Sequence, residues 1–177
     1  AGDVQVAEAP LEYRTVVTPT RRATSSFDVD RTVESLDADD LRESVAFDVP
    51  EALDALPGVH VQRTNRGAAS PILRGLVGPQ NVILVDGLRY SLSTFRTGPN
   101  QYAALTDPLA LRAVEVVLGP GSVLYGADAM GGTIHYLTLE APSAQGWMGR
   151  GQLRFASSDI GLDGSLLVGG REGDFGG

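Results

Sequence analysis

Cysteine and lysine are both absent from this sequence of 177 residues. Without cysteine, the chain can form no disulfide, thiolate metal site or cysteine nucleophile. Without lysine it has no P-loop, because that motif needs a lysine to reach the phosphates. The 14 basic residues are therefore all arginines, and the net charge is −8. This negative charge argues against a nucleic-acid partner, because phosphates call for a basic surface.

Long apolar runs are also missing, so the sequence predicts no transmembrane helix. Hydrophobic residues make up 42% of the chain and charged residues 20%. This composition is typical of a globular chain, and the length suffices for one domain with its own core.

No catalytic or metal-binding pattern emerges, and we predict no cofactor. The two histidines, His60 and His135, each lie within a strand-like pattern. The serines do not occur in the nucleophile motif G-x-S-x-G. The acidic segments do not fit a calcium-binding EF-hand loop. A hydrolase built on the acidic residues is retained only as an alternative that assays on generic substrates would test.

Between residues 27 and 140 the pattern predicts an α+β domain, with a small mixed β-sheet and short helices. A helix is predicted after Asp48, which can cap it, and it ends at Gly58. Asp86-Gly87 between two strand-like runs predicts a hairpin. The segment VEVVL predicts a buried strand with Glu115 at its centre.

A glycine-rich segment, GPGSVLYGADAMGG, follows that strand. Its glycines are spaced G-x-G-x-x-x-x-G, and a dinucleotide site requires G-x-G-x-x-G before a long helix. Only a short helical piece fits before Gly131 and Gly132. We therefore expect the glycines to serve tight turns and close backbone approach.

Both ends of the chain differ from the centre. Residues 1–26 lack a sustained pattern and are predicted to form a mobile arm. Within this arm, residues 13–22 are rich in β-branched residues and are predicted to be extended. Locally this piece fits an ordinary edge strand better than a strand offered to a partner's sheet. Residues 141–177 alternate between apolar and polar, which is typical of membrane-barrel strands and equally of a one-sided soluble sheet.

Four motifs, in order, then give a family resemblance: ALDALPGVHV, ILRG, NVILVDGLRY and LRAVEVVLGPGSVLYGADAMGGTIHYLTL. Together they resemble the plug domain of TonB-dependent outer-membrane receptors, over about Val33 to Leu139. One departure is Leu118, because the family commonly has arginine just before Gly-Pro. That departure puts plug anchoring through this position in doubt.

The resemblance implies a non-enzymatic role in a Gram-negative outer membrane, namely energised uptake of a scarce ligand such as a ferric siderophore or cobalamin. It implies that residues 13–22 are a TonB box, with Thr15, Val16, Val17 and Thr18 pairing with the periplasmic C-terminal domain of TonB. It also implies that residues 141–177 begin an antiparallel transmembrane β-barrel with one or two strands. Because such a barrel has about 22 strands, most of it would lie outside this sequence.

The family topology further implies two sets of functional residues. The ligand would bind apical loops through Arg63, Asn65, Arg66, Tyr90, Phe95 and Arg96, since arginines and aromatics suit an anionic or aromatic chelate. Plug and barrel would be held together through Arg74, Arg112 and Glu115. The alternative to transport is a stand-alone periplasmic binding or signalling module with a plug-like fold.

Overall fold

The computed structural model describes residues 14–65, 67–91, 98, 101–141, 144–156, 161–173 and 175–176. Within these residues, no helix is long and apolar enough to cross a membrane. Three predicted ligand residues, Arg66, Phe95 and Arg96, lie outside the described residues.

A mixed five-stranded sheet forms the centre of the molecule. Its strands, in spatial order, are β3 (Thr32–Asp37), β8 (Leu111–Leu118), β9 (Gly132–Thr138), β6 (Asn81–Val85) and β7 (Leu88–Arg89). The β6–β9 pair is parallel and the other three pairs are antiparallel. The predicted α+β fold with a small mixed sheet is therefore confirmed.

Smaller elements surround this sheet. Helix α1 covers Ala38–Glu43, α2 covers Val49–Leu53 and α3 covers Ser122–Tyr125. Short 3-10 helices cover Ser26–Asp28, Gly78–Gln80, Gln101–Leu105 and Pro108–Ala110. Strands β4 (Val59–Asn65) and β5 (Ala68–Leu73) form a separate hairpin.

The cap of α2 and the Asp86-Gly87 hairpin form as the sequence predicts, but the predicted end of the helix at Gly58 is wrong. Helix α2 ends at Leu53 because the chain then enters a turn, in which the Leu56 amide donates to the Leu53 carbonyl. The Asp48 carboxylate accepts a hydrogen bond from the Glu51 amide at the start of α2. Asp86 and Gly87 both have positive φ, as a tight two-residue hairpin turn requires, and Val85 pairs with Leu88 across it.

The main core lies between the central sheet, α1, α2 and the β4–β5 hairpin. Its largest fully buried side chains are Tyr136, Leu41, Leu53, Leu73, Ile83, Leu111 and Ile134. Strand β8 is buried over its last five residues, which explains its nearly continuous apolar sequence. The Tyr136 hydroxyl reaches the Ala103 carbonyl at 3.2 Å, so this buried phenol is satisfied.

Two glycines of the glycine-rich segment allow the chain to pack closely against its neighbours. A Cβ at Gly132 would lie 2.5 Å from the Val117 carbonyl oxygen and 2.6 Å from the Leu73 side chain. At Gly131 a Cβ would meet the Asn81 amide oxygen at 2.2 Å. The expectation that these two glycines serve close packing is therefore confirmed for the described residues.

The N-terminal segment differs from the mobile arm that the sequence suggested. Residues 14–26 fold back onto the sheet, where β1 (Thr15–Val16) pairs with β2 (Thr24–Ser25). Val16 and Thr18 are completely buried. The folded region therefore begins before residue 27, because apolar contact and backbone hydrogen bonds hold this part of the arm.

At the other end, β10 (Gly146–Ala156) and β11 (Gly161–Glu172) form a long antiparallel hairpin, and β12 (Phe175–Gly176) adds a third strand. One face is exposed and apolar, with Trp147 packed on Gly170 and Leu153 on Gly164. The sequence suggested one or two strands here, and the structure contains two long strands and the start of another.

Candidate functional site

The candidate site is the surface of the sheet on which residues 15–18 are docked. We call the three side chains that hold this segment, Glu115, Tyr125 and His135, the docking cluster. Glu115 is at the centre of β8, Tyr125 ends α3, and His135 is in β9. The sheet places Glu115 and His135 directly opposite each other, since they are register partners in the β8–β9 pair.

Glu115 binds the backbone of the segment. The Val17 amide donates to both carboxylate oxygens at 3.0 Å, and the Thr18 amide donates to Oε2 at 2.7 Å. Glu115 is only 2% exposed. A buried carboxylate requires such partners, because removal from water is otherwise strongly unfavourable.

His135 binds the side chain of the same threonine. The Gly87 amide donates to Nε2 at 2.8 Å, so Nε2 carries no proton in this arrangement. Nδ1 then carries the proton and donates to the Thr18 hydroxyl oxygen, 2.9 Å away. Burial lowers the pKa of His135 below its usual 6.5, against the opposing charges of Glu115 and Asp86. The ring is therefore held in its neutral form.

Tyr125 completes the cluster. Its hydroxyl donates to the Thr18 carbonyl at 2.7 Å, and the Arg21 guanidinium lies 5.0 Å from its ring centroid. Burial raises the pKa of the Tyr125 phenol, which keeps the hydroxyl protonated as a donor. Arg89 donates to the Tyr125 carbonyl at 2.6 Å and to Asp128 at 2.7 Å, and so fixes the end of α3.

Arg14 fastens the segment on its N-terminal side. Its guanidinium donates to the Ser35 carbonyl at 2.7 Å and forms a short contact with the Asp40 carboxylate. The hydrogen bond from Arg14 lowers the pKa of Asp40. Asp40 also accepts from the Asp37 amide in the capping box of α1. The segment is thus tied to β3, α1 and the docking cluster.

The predicted ligand residues that the structure describes fall into two places. Arg63 and Asn65 are in β4, and Tyr90 follows β7. Both Arg63 terminal nitrogens donate to the buried Asp48 carboxylate, at 2.7 and 3.0 Å. To bind an anion through those nitrogens, Arg63 would have to leave Asp48.

Tyr90 packs edge-to-face against Tyr102, with 5.3 Å between the ring centroids. Tyr102 belongs to the 3-10 helix Gln101–Leu105, which packs against β5. This helix therefore joins the two predicted apical regions. The aromatic pair formed by Tyr90 and Tyr102 was not predicted, because 12 positions separate the rings and only the fold brings them together.

The predicted anchoring residues have separate environments. Arg74 has a φ of 50°, and its guanidinium lies over Gly119 and within 3.4 Å of the Thr32 hydroxyl. Arg112 forms an ion pair with Glu140 at 3.1 Å. Glu115 faces the docked segment, so its carboxylate is unavailable to a barrel while the segment is docked.

Leu118, the departure from the family pattern, is part of the core. It is 5% exposed, and a Cβ added to Gly58 would meet its Cδ1 at 2.8 Å. Gly58 also has a φ of 76°. Leucine at this position therefore fills the space over the turn after α2, where the sequence alone indicated only a missing charge.

Comparison with known proteins gives the family. Residues 25–133 match the TonB-dependent receptor plug domain. The "Hemin receptor" of Yersinia enterocolitica is 35% identical over 128 residues, which cover 71% of this chain and 18% of that protein. The "Vitamin B12 transporter BtuB" of Vibrio vulnificus is 34% identical over 111 residues, covering 62% of this chain and 17% of that protein.

Solved structures show the same fold. The ferric preacinetobactin receptor BauA from Acinetobacter baumannii aligns with a TM-score of 0.70 and 20% identity, covering 90% of this chain and 23% of that one. The chain thus spans about a fifth of the length of the relatives it matches. Together with the confirmed mixed sheet and the matched motifs, these findings show that the chain belongs to the family of TonB-dependent receptor plug domains.

Proposed function

We propose that this chain is the plug of a Gram-negative outer-membrane receptor that takes up a scarce ligand with energy supplied through TonB. The observation that carries this proposal is the family match over residues 25–133. Its relatives are named as transport receptors and not as enzymes. Another relative, from Vibrio cholerae, is an "Iron-regulated outer membrane virulence protein".

The C-terminal hairpin supports the outer-membrane location. Strands β10 and β11 are 11 and 12 residues long, which is enough to span a bilayer when tilted. Their exposed apolar face would contact lipid, and the other face carries Arg150, Gln152 and Arg154. Arg154 donates to the Ala46 carbonyl before α2, as a lumen-facing barrel residue would contact a plug. We infer that residues 141–177 begin the barrel around this plug.

The ligand class follows from the relatives and from the predicted apical residues. Relatives are named for hemin, vitamin B12 and ferric chelates. Aromatic side chains such as Tyr90 suit the flat, conjugated groups of such ligands. A large iron or cobalt chelate is therefore the proposed ligand class. Arg63 is a weaker candidate contact than Tyr90, because its guanidinium is already paired with Asp48.

The partner is proposed from residues 15–18. All four residues are β-branched threonine or valine, and the segment is already extended at β1. An extended segment can add a strand to the edge of a partner's sheet through its backbone. TonB would bind this segment after it leaves the docking cluster, and a pull on it would then reach the central sheet through residues 19–31, which connect the segment to β3.

Calorimetric titration with the periplasmic C-terminal domain of TonB tests this function. We expect the unaltered chain to bind and Val16→Pro to abolish binding, because proline removes a backbone donor. Ala9→Pro, outside residues 13–22, is the matched control and should bind normally. If the folded chain does not bind, the alternative of a periplasmic binding or signalling module replaces the transport proposal.

A further inference from the structure

The connection between the central sheet and the C-terminal hairpin begins beside a β-bulge in strand β8. The register of the β8–β9 pair shifts there by one residue, so that Arg112 lies between two paired neighbours without a partner of its own in β9. A bulge of this kind bends its strand and redirects a side chain. The Arg112 guanidinium contacts Glu140, the second residue after β9, at 3.1 Å.

A second contact holds the same end of β9. Asp86 lies in the turn between β6 and β7, and its carboxylate accepts from the Thr138 amide at 2.9 Å and from the Thr138 hydroxyl at 2.6 Å. Burial raises the pKa of Asp86, but these hydrogen bonds and neighbouring charges, including that of Arg112, together hold it below its usual value. The carboxylate is therefore ionised at neutral pH, which strengthens both bonds from Thr138.

These contacts meet at three consecutive residues, 138–140. Between Thr138 and Glu140, the Leu139 amide donates to the Ala110 carbonyl at 3.1 Å. An exposed ion pair such as Arg112–Glu140 contributes little to stability by itself. Residues 138–140 are held by three different elements, however, and cannot move away without breaking all of these contacts. We call Asp86, Arg112 and residues 138–140 the C-terminal clasp.

The hairpin end of the connection is also tied. Gln145 directly precedes β10, and its side-chain amide donates to the Gly173 carbonyl at 2.8 Å and accepts from the Gly173 amide at 3.0 Å. Gly173 follows β11 and has a φ of 61°. The chain from Glu140 to Gln145 can span at most about 18 Å when fully extended. The position of the clasp therefore limits where the hairpin can begin relative to the central sheet.

We propose that Asp86 and Arg112 are positioning residues, which hold the start of this connection and thereby fix the β10–β11 hairpin relative to the central sheet. The positioning is a property of this chain, whereas its role in a receptor rests on the function proposed above. In that receptor, residues 138–140 are the fixed end of the plug. A force applied at the N-terminal segment would then move the rest of the plug relative to this end.

Distances between two nitroxide spin labels test this positioning, and the absence of native cysteine allows the labels to be placed at chosen sites. Val123→Cys carries one label on α3, at a position 94% exposed, and Val168→Cys carries the other on β11, at a position 59% exposed. Double electron–electron resonance on the chain in detergent micelles measures the distance between them. We expect a single narrow distribution for the labelled chain that is otherwise unaltered.

The clasp is removed by combining Asp86→Gly with Glu140→Gln. Glycine keeps the positive φ of the turn and removes both acceptor oxygens, while glutamine removes the charge that pairs with Arg112. We expect the narrow distribution to be lost. Asp30→Gly combined with Glu43→Gln makes the same change of charge at two exposed residues outside the clasp, and should keep the distribution narrow.

Hydrogen exchange at the Val116 and Ile134 amides of the central sheet reports whether each variant is folded. If the clasp variant does not fold, Thr138→Val combined with Arg112→Gln replaces it, because valine keeps the shape and the amide of Thr138 and removes only the hydroxyl donor. An unchanged narrow distribution in a folded clasp variant would overturn the proposal, as would a broad distribution in the unaltered chain.

Titration of the unaltered chain with the TonB domain separates the positioning from the proposed function. Loss of the narrow distribution in the clasp variant, in a chain that binds TonB, supports both. The same loss in a chain that never binds TonB supports the positioning and contradicts the proposed partner. Unchanged distances in a chain that binds TonB contradict the positioning and leave the proposed function supported.

Discussion

Glu115 and His135 lie directly opposite each other on two antiparallel strands, and both bind Thr18 of the N-terminal segment. The carboxylate accepts a hydrogen bond from the Thr18 amide, and the imidazole donates one to the Thr18 hydroxyl. A residue distant in sequence is thereby fixed on the two central strands of the sheet. This relationship joins the segment proposed to bind TonB to the part of the plug with the most extensive strand pairing.

Acidification should weaken the fold through His135. The folded protein holds this ring neutral with a lowered pKa, so in the unfolded chain it binds a proton more readily. Its contribution to stability is complete above the unfolded pKa of about 6.5 and declines as the pH falls below that value. Burial and Arg112 favour the neutral ring and cause this pH dependence, whereas Glu115 and Asp86 favour the charged ring and limit it.

Urea unfolding between pH 7.5 and 5.0 measures this dependence. The unaltered chain should lose stability over the lower part of the range, and His135→Gln should show a smaller decline. His60→Gln is the matched comparison, because it makes the same substitution at a side chain that is 76% exposed. An unchanged slope for His135→Gln would show that this ring is not the source of the pH dependence.

Gly132→Ala should destabilise the central sheet by about 1–3 kcal/mol, the usual range for overpacking. The new methyl group would lie 2.5 Å from the Val117 carbonyl oxygen and 2.6 Å from Leu73. Gly149→Ala is the control, since the nearest atom to its Cβ lies 3.9 Å away. The urea midpoint gives both values, and equal effects of the two changes would contradict close packing at Gly132.

Leu118→Arg, which introduces the residue common in the family, should destabilise the isolated chain by about 2–5 kcal/mol. Leu118 is buried against Gly58, and the substitution replaces core packing with a charge that has no partner there. Val123→Arg, at a position 94% exposed, should be nearly neutral. A thermal melt compares the two, and a stable Leu118→Arg variant would show that position 118 tolerates a charge.

Asp48→Ala should lower the free energy of unfolding of the protein more than Arg63→Ala does. Asp48 both caps α2 and pairs with Arg63, whereas Arg63 is only partly buried. Loss of the cap alone costs about 1 kcal/mol. In a double-mutant cycle from urea unfolding, we expect a coupling of about 0.5–3 kcal/mol between the two residues. A coupling near zero would restore Arg63 as a candidate anion-binding residue.

Much of the fold follows from local chemistry that is readable in the sequence. Asp48 and Asp107 cap their helices because a short acidic side chain reaches the free amides of the first turn. Asp86-Gly87 forms a hairpin because both residues tolerate positive φ. The apolar sequence around Glu115 marks a buried strand. These features depend on neighbours within a few positions, which a sequence displays directly.

Other features were decided only by tertiary structure. The segment 15–18 has the same β-branched sequence whether it is free or docked, and the docking partner Glu115 is about 100 positions away. In the sequence, Leu118 indicated only the absence of the arginine that is common in the family. The structure shows that its side chain packs against Gly58. The helix caps, the hairpin turn and the buried strand could be predicted from the sequence because they are local, whereas the pairing of β1 with β2 could not. Only the folded chain determined which buried polar groups meet, because hydrogen-bond partners are chosen by proximity in space.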